Sequence, residues 1–492
     1  MPAPLPLYRP DQVRAMDAHA IATLGVGAYD FMERAGVAAW HLLRQRWPEA
    51  RRIGIACGPG NNGGDGYVVA RLAQQAGCHV EVVIVPDGGP RAHAAVQAAE
   101  EWRLARGRTT YFDGNLPAMD LWVDALYGIG LARAPEGMAR AMIERINGAR
   151  VPVLALDVPS GLDADRGSAP GVAVRAQVTL GFVAAKRGLY TGEGRDHGGE
   201  VLLDALGIEP EVFSGFAPAA YHYAPAHLAD GLAPRHANAH KGEHGHVLCV
   251  GGEVGMGGAV RSAASAHRRT GVGLASVATR GAGVAALLAV RPEAMTHAVE
   301  DGAALLPLAA RADILAVGPG LGQGPWGREL FEAAIASGKP LILDADALNL
   351  LAVDPRPLPG AILTPHPGEA ARLLGVDSAQ VQADRFGAVE ALAARHACVV
   401  VLKGAGTLVA APDRTTAVIG AGNPGMATGG MGDVLTGVIA ALYAQRFAPF
   451  DAAVHGALLH GAAGDAAAKV DGERGLLPSD LFRYLRRLAN PE

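Results

Sequence analysis

Residues 420–437, GAGNPGMATGGMGDVLTG, pack seven glycines into a stretch that turns apolar and helical at VLTGVIAALYA. Glycines let backbone approach a ligand closely, and the first turn of a helix offers unpaired N–H groups and the positive end of its dipole. Such a stretch suits an anion. Asp433 falls in that turn, where its charged form is stabilised and it can take a proton from a substrate hydroxyl; a helix cap is the plainer alternative, and the length of the glycine run favours catalysis. Lys403, Gly404, Ala405, Gly406 and Thr407 form a second anion pattern, a glycine turn between two β-rich runs whose lysine and successive N–H groups can cradle a polyphosphate. In TPHPGE, His366 and Glu369 follow another buried run, where a capping Glu is the plain explanation; Gly320, in GPGLG, allows close backbone approach.

The N-terminal half carries oxygen ligands instead. Asn61, Asn62, Gly63, Gly64 and Asp65 make a glycine-dense loop before an amphipathic helix, with more side-chain oxygens than a dinucleotide fold needs. Asp124 ends LWVDALYG and is followed by Gly128, Ile129, Gly130 and Leu131, a second loop suited to phosphate. Asp157 and Ser160, in LDVPSG, stand just past a third strand. Each acid alone has a capping explanation. Together Asn62, Asp124 and Ser160 suit a hard cation, and Asp124 or Asp157 can shuttle a proton.

These residues need strand ends to hold them. A helical pattern spans residues 10–47, and β-rich runs then alternate with helical segments, which predicts a parallel sheet whose ligands sit at the carboxyl ends of the strands. Residues 210–225 lose the pattern and mark a domain boundary, and strands resume at HVLCVGG. With 492 residues, half of them apolar, the chain is long enough for two α/β domains. A net charge of −5 recommends neither nucleic acid nor a membrane as partner. The four scattered cysteines read as reduced core residues of a cytoplasmic protein, residues 1–10 lack a signal peptide's apolar core, and no run reaches the length of a membrane span. Five histidines between His236 and His267 match no usual zinc spacing. Abundant Ala and Gly permit close subunit packing, and a homo-oligomer is expected.

The motifs NNGGDG, VDALYGIGL, LDVPSG and AAKRGLYTG, in that order, resemble the NAD(P)H-hydrate epimerases. The resemblance implies a Rossmann-like domain over residues 1–213 in which the NNGGD and GIGL loops hold the hydrated nucleotide. It also implies that Asp157 contacts substrate and that Asn62, Asp124 and Ser160 bind potassium. Lys186 is either a phosphate partner or a solvated lysine. GNPGMATGGMGDVLTG resembles the ADP/ATP-dependent NAD(P)H-hydrate dehydratases, with Met431 where relatives usually have Ser. That resemblance implies a ribokinase-like domain over residues 225–492. Ala259, Gly320, His366 and Asp433 would meet the hydrated nicotinamide, Lys403 to Thr407 and Gly432 the adenine nucleotide, and Glu369 magnesium.

The halves fit one chemistry. A kinase-like site can phosphorylate the ring hydroxyl of NADHX or NADPHX with ADP or ATP, turning it into a leaving group, and an epimerase makes the second epimer usable. The expected function is therefore bifunctional nucleotide repair. A small-alcohol kinase fused to a binding domain, or a scaffold N-terminal half, are the rival readings, and the first leaves NNGGDG and LDVPSG unexplained.

Overall fold

The computed structural model describes residues 3–86, 88–130, 133–232 and 234–490. The chain divides into two compact units, Pro6–Ala220, and Tyr221–Glu492 together with Met1–Leu5.

In the first unit a parallel sheet runs in the order Thr109–Tyr111, His79–Ile84, Arg52–Cys57, Leu121–Ala125, Val153–Leu156, Val178–Phe182, Glu200–Asp204. The central runs Arg52–Cys57, beyond its first residue, and Leu121–Ala125 are mostly apolar and buried, as strands covered on both faces must be. The helices Asn61–Gln75, His93–Leu104 and Gly137–Gly148 supply crossovers. Strand order reverses between Arg52–Cys57 and Leu121–Ala125, and in such sheets the crevice beyond the carboxyl ends opens at that point.

Two details depart from the sequence reading. The single helical pattern over residues 10–47 is two helices, Pro10–Leu24 and Ala28–Arg46, because Gly25 at φ 64° ends the first and Gly27 begins the second. NNGGDG is helix and not loop: the helix starts at Asn61. Its glycines serve proximity, since a Cβ on Gly63 would collide with the carbonyl oxygen of Gly58.

The second unit orders its strands Met295–Ala298, Leu274–Thr279, His246–Val250, Ile314–Val317, Leu341–Leu343, Ile362–Leu363, Val399–Leu402, Leu408–Ala411, Arg414–Ile419. Pairing is parallel as far as Val399–Leu402 and antiparallel through the last two strands. Order again reverses at one place, between His246–Val250 and Ile314–Val317. The helices Met431–Ala444 and Pro449–Asp471 are buried over most of their surface, and Val434, Leu435, Val438 and Ile439 join the strand side chains in one core. This accounts for the apolar, small-residue composition of both helices. The four cysteines are free and buried, and among the described residues no helix is long and apolar enough to cross a membrane.

Met431–Ala444 lies against Gly257–Arg269 so closely that a Cβ on Gly437 would strike the Ala263 carbonyl oxygen. Gly437→Val should cost about 1–3 kcal/mol through overpacking. A denaturant midpoint unchanged from the parent protein would contradict this contact.

Candidate active sites

In the first unit, the residues singled out in the sequence gather at the reversal of the sheet. Asp124 ends its strand with no exposed surface. Ser160 locks it, giving its N–H to Oδ2 at 2.7 Å and its hydroxyl to Oδ1 at 2.6 Å, while the Leu126 N–H reaches Oδ1 at 3.3 Å. Burial lifts the Asp124 carboxyl to about 6 despite these bonds. Asn62, in the first turn of its helix, is buried with both the oxygen and the nitrogen of its side chain lacking a partner among the described residues. Buried amides are rarely left so, and an orphaned carbonyl oxygen at the same sheet reversal as Asp124 and Ser160 fits a hard cation.

Asp157 sits at φ 65°, the centre of a tight turn in which the Val158 N–H bonds the Leu156 carbonyl at 2.8 Å. The neighbouring strand ends in the same way at Val183, φ 67°, with the Ala184 N–H on the Phe182 carbonyl at 2.7 Å. Both positions are strained for residues with side chains, the β-branched Val183 most of all. Lys186 joins them, its Nζ 2.6 Å from Asp157 Oδ1 and donating to the Phe182 carbonyl at 2.7 Å. At 1% exposure it is neither a solvated lysine nor free for phosphate, because its charge is committed to Asp157. The other oxygen, Asp157 Oδ2, accepts the Ile129 N–H at 3.1 Å, and Gly128 stands where a Cβ would come 2.6 Å from that oxygen and 3.5 Å from Asn62 Cβ. The two loops and the helix start thus meet. Leu131 lies outside the described residues.

Asp65, one helical turn beyond Asn61, is buried, and burial followed by the Asp157 and Asp17 charges holds its carboxyl far above the ordinary range. Asp17 is a residue that sequence reasoning missed. It lies on Pro10–Leu24, burial raises it to about 6 with Asp157 adding and Lys186 opposing, and Arg14 of that helix donates to the Ile129 carbonyl at 2.7 Å. The available signal was the polar pair Arg14 and Asp17, at i, i+3, bordering the apolar stripe of Val13, Met16 and Ala20.

In the second unit, Lys403 follows its strand into a buried knot of carboxylates. Its Nζ is 2.8 Å from Asp344 Oδ1 and 3.6 Å from Glu369 Oε2. Asp344 Oδ2 takes the Thr436 hydroxyl at 2.8 Å, which ties the strand end to the helix Met431–Ala444. Burial pulls the ammonium down, but Asp344 and then Glu369 outweigh it and Lys403 titrates above its ordinary value. Burial would likewise raise Asp344, and Lys403 keeps it low. Asp433 is left without such a partner: burial, then the Asp344 charge, lift it from 3.8 to about 7, with Lys403 offsetting only part. A Cβ on Gly432 would lie 3.2 Å from Lys403 Nζ, so the helix start and the lysine face each other.

The surrounding loops are held by caps. His366 Nδ1 accepts the Gly368 N–H at 3.0 Å and the His366 N–H goes to Glu369 Oε2 at 2.7 Å, so Glu369 is a capping residue and also a member of the charged knot. In the turn Lys403 to Thr407, the Thr407 hydroxyl closes on the Gly404 carbonyl at 3.0 Å, and Gly404 and Ala405 are exposed, with Gly406 buried. Gly320, at φ 60°, backs onto Ala259, where a Cβ would be 3.4 Å from the alanine's own.

Two residues escaped the sequence reading here. Arg385, buried, donates to the Leu402 and Lys403 carbonyls at 3.3 Å each and is pulled to about 10 by burial, which puts a cation beneath the lysine turn. Asp465, on Pro449–Asp471, accepts the Gly422 N–H and the Asn423 amide at 2.9 Å each and pins the start of the glycine run. Both come from distant helices, and no local pattern marks them.

Residues 247–487 match a family model described as NAD(P)H-hydrate dehydratase, and residues 28–188 match one described as YjeF-related protein N-terminus. A bifunctional NAD(P)H-hydrate repair enzyme of Escherichia coli is 42% identical over 99% of this chain and 95% of its own. One from Coxiella burnetii is 44% identical over 99% of both. The chain belongs to the bifunctional NAD(P)H-hydrate repair enzymes. A solved ribokinase-like superfamily protein from Enterococcus faecalis, 28% identical, covers 56% of the repair enzyme and 96% of itself with a TM-score of 0.52. The α/β class with a ribokinase-like C-terminal sheet, expected from the glycine run, is what the repair enzyme has.

Two outcomes follow from the charge pattern. The raised Asp433 carboxyl keeps in the folded state a proton that the unfolded chain releases above pH ~4, so stability falls between there and pH ~7 and the whole deficit remains above. Asp433→Asn removes the ionisation and should raise the melting temperature at pH 8 relative to the parent more than at pH 4; equal shifts at both would contradict the assignment. Lys186→Met leaves the Asp157 charge half-buried and unpaired, and should destabilise by about 3–5 kcal/mol in equilibrium unfolding. A loss under 1 kcal/mol, the range of exposed pairs, would sink it.

Proposed function

We propose that residues 1–213 interconvert the R and S epimers of NADHX and NADPHX, and that residues 225–492 dehydrate the S epimer to NADH or NADPH at the expense of ADP or ATP. The observation that carries the second activity is Asp433. A carboxyl at about 7, in the first turn of a helix beside Lys403, is poised near neutral pH as a general base, whereas an ordinary cap would be ionised and committed to backbone. Asp433 takes the proton of the ring hydroxyl as its oxygen bonds the transferred phosphorus and the nucleotide's bridging P–O bond breaks. The ring nitrogen lone pair then expels phosphate from carbon 6, and loss of the carbon 5 proton restores the double bond. Lys403 and the N–H groups of residues 404–407 and 429–432 balance phosphate charge, and Ala259, Gly320 and His366 line the side on which the nicotinamide would lie.

Three carboxylates about one ammonium leave Asp344, Glu369 and Asp433 with excess negative charge, which suits magnesium. Among the described residues no three such groups converge enough to hold a metal alone, so magnesium would enter with nucleotide phosphate, Glu369 acting through water. When bound it would neutralise charge on the phosphates. In the first unit, Asn62, Asp124 and Ser160 would hold potassium, which would draw substrate phosphate toward Asn61, Gly63, Gly64, Gly128, Ile129, Gly130 and Leu131. Asp124 or Asp157 moves the proton, with Asp65 contacting substrate. A cytoplasmic location and a homo-oligomer are part of the same reading.

The test supplies the purified protein with both epimers, magnesium, potassium and ADP or ATP, and follows the return of reduced nicotinamide absorbance. Full recovery, faster than spontaneous epimerisation, is expected. Asp433→Asn should slow dehydration by roughly 10²–10⁴, and Asp124→Asn should leave recovery stalled once the S epimer is consumed. No recovery with either nucleotide would overturn the proposal.

A further inference from the structure

A cavity of about 750 Å³ opens on the second unit between the segment that follows Gly231, the ends of Gly257–Arg269 and Met431–Ala444, and the helix Leu481–Leu488. Its size lies within the roughly 300–1,000 Å³ of small-molecule sites. It is not the catalytic site. Met431–Ala444 carries Asp433 in its first turn and Gln445, which lines the cavity, just past its end; the rise of about 1.5 Å per residue between positions 433 and 445 separates the two by about 18 Å. Thr270 and Gly271, also in its wall, precede the strand Leu274–Thr279, so the cavity opens at the edge of the sheet opposite Lys403.

Its chemistry is cationic. Arg235, Arg268, Arg269 and Arg486 line it against a single carboxylate, Glu243, and none of the four forms an ion pair among the described residues. Arg268, Arg269 and Arg486 stand in last turns of helices, where the dipole favours cations, and that explains their charge. It does not explain Arg235, which comes from irregular backbone. One nitrogen of its guanidinium, Nη2, is anchored on the Gly271 carbonyl and on Gln445 Oε1, the latter at 2.9 Å, and Gly271, at φ 100°, lacks the Cβ that would collide with that nitrogen. The remaining N–H groups of Arg235 carry no bond among the described residues. His244, in the same wall, is held below its ordinary value by burial and then by the Arg235 charge, with Glu243 opposing.

We propose that this cavity binds a small molecule carrying two or more phosphate groups, at a site separate from the catalytic one. Arginine forks match phosphate oxygens in pairs, and their spread over three chain segments matches more than one phosphate.

Calorimetric titration of the full chain with inorganic pyrophosphate tests it, using Lys403→Ala to disable the catalytic phosphate turn. A binding component is expected to survive Lys403→Ala, to weaken tenfold or more in Arg268→Glu/Arg486→Glu, and to persist in Arg268→Lys/Arg486→Lys. The reversal of a remote exposed arginine, Arg395→Glu, controls for net charge. If the glutamate pair does not fold, Arg268→Gln/Arg486→Gln replaces it. Displacement of the surviving component by ADP assigns a nucleotide ligand; pyrophosphate binding that ADP does not displace assigns a polyphosphate ligand that is not a nucleotide. Binding abolished by Lys403→Ala, or equal in the double variant and the Arg395→Glu control, would overturn the proposal.

Discussion

Each unit closes over one buried ammonium facing one aspartate, Lys186 with Asp157 at 2.6 Å and Lys403 with Asp344 at 2.8 Å. Taking such charges out of water costs several kcal/mol per ion, which only close geometry and further hydrogen bonds repay. The structure supplies those bonds from the site itself: Ile129 and Phe182 in one case, Thr436 and the neighbouring Glu369 in the other. The loops of each candidate site are therefore bound to each other through the pair, and a rigid sheet edge becomes a shaped site.

The pairing has an electrostatic by-product. One ammonium pairs with one carboxylate, and those next to it inherit burial that its charge offsets only in part. Asp65 and Asp17 rise in the first unit and Asp433 in the second, while Asp344 is held low. Neighbouring acids driven apart in this way divide the work: one stays charged and positions, the other can carry a proton near neutral pH.

The same fold rule acts twice. Both sheets reverse their strand order once, and both candidate sites occupy the carboxyl edge about that reversal. The helix Met431–Ala444 connects that edge to the opposite one, where the cationic cavity lies, so a single buried element borders two places of different chemistry.

Much of this was legible in the chain. Buried β-rich runs at regular intervals dictate a parallel sheet, and glycine runs before apolar helices dictate where backbone can meet an anion, because both depend on local sterics and periodicity. The sequence by itself thus determined the two α/β units and the loops at their strand ends, and it marked Asp433, Lys403, Asp124 and Asp157 as the candidate groups for chemistry. It did not determine who pairs with whom. That Lys186 is committed to Asp157, that Arg385 and Asp465 brace the lysine turn and the glycine run, and that Asp17 reaches the first candidate site are contacts between residues far apart in the chain. Only tertiary structure decided them, since burial and charge proximity are properties of assembled elements, and the same side chains left in water would titrate as ordinary acids and bases.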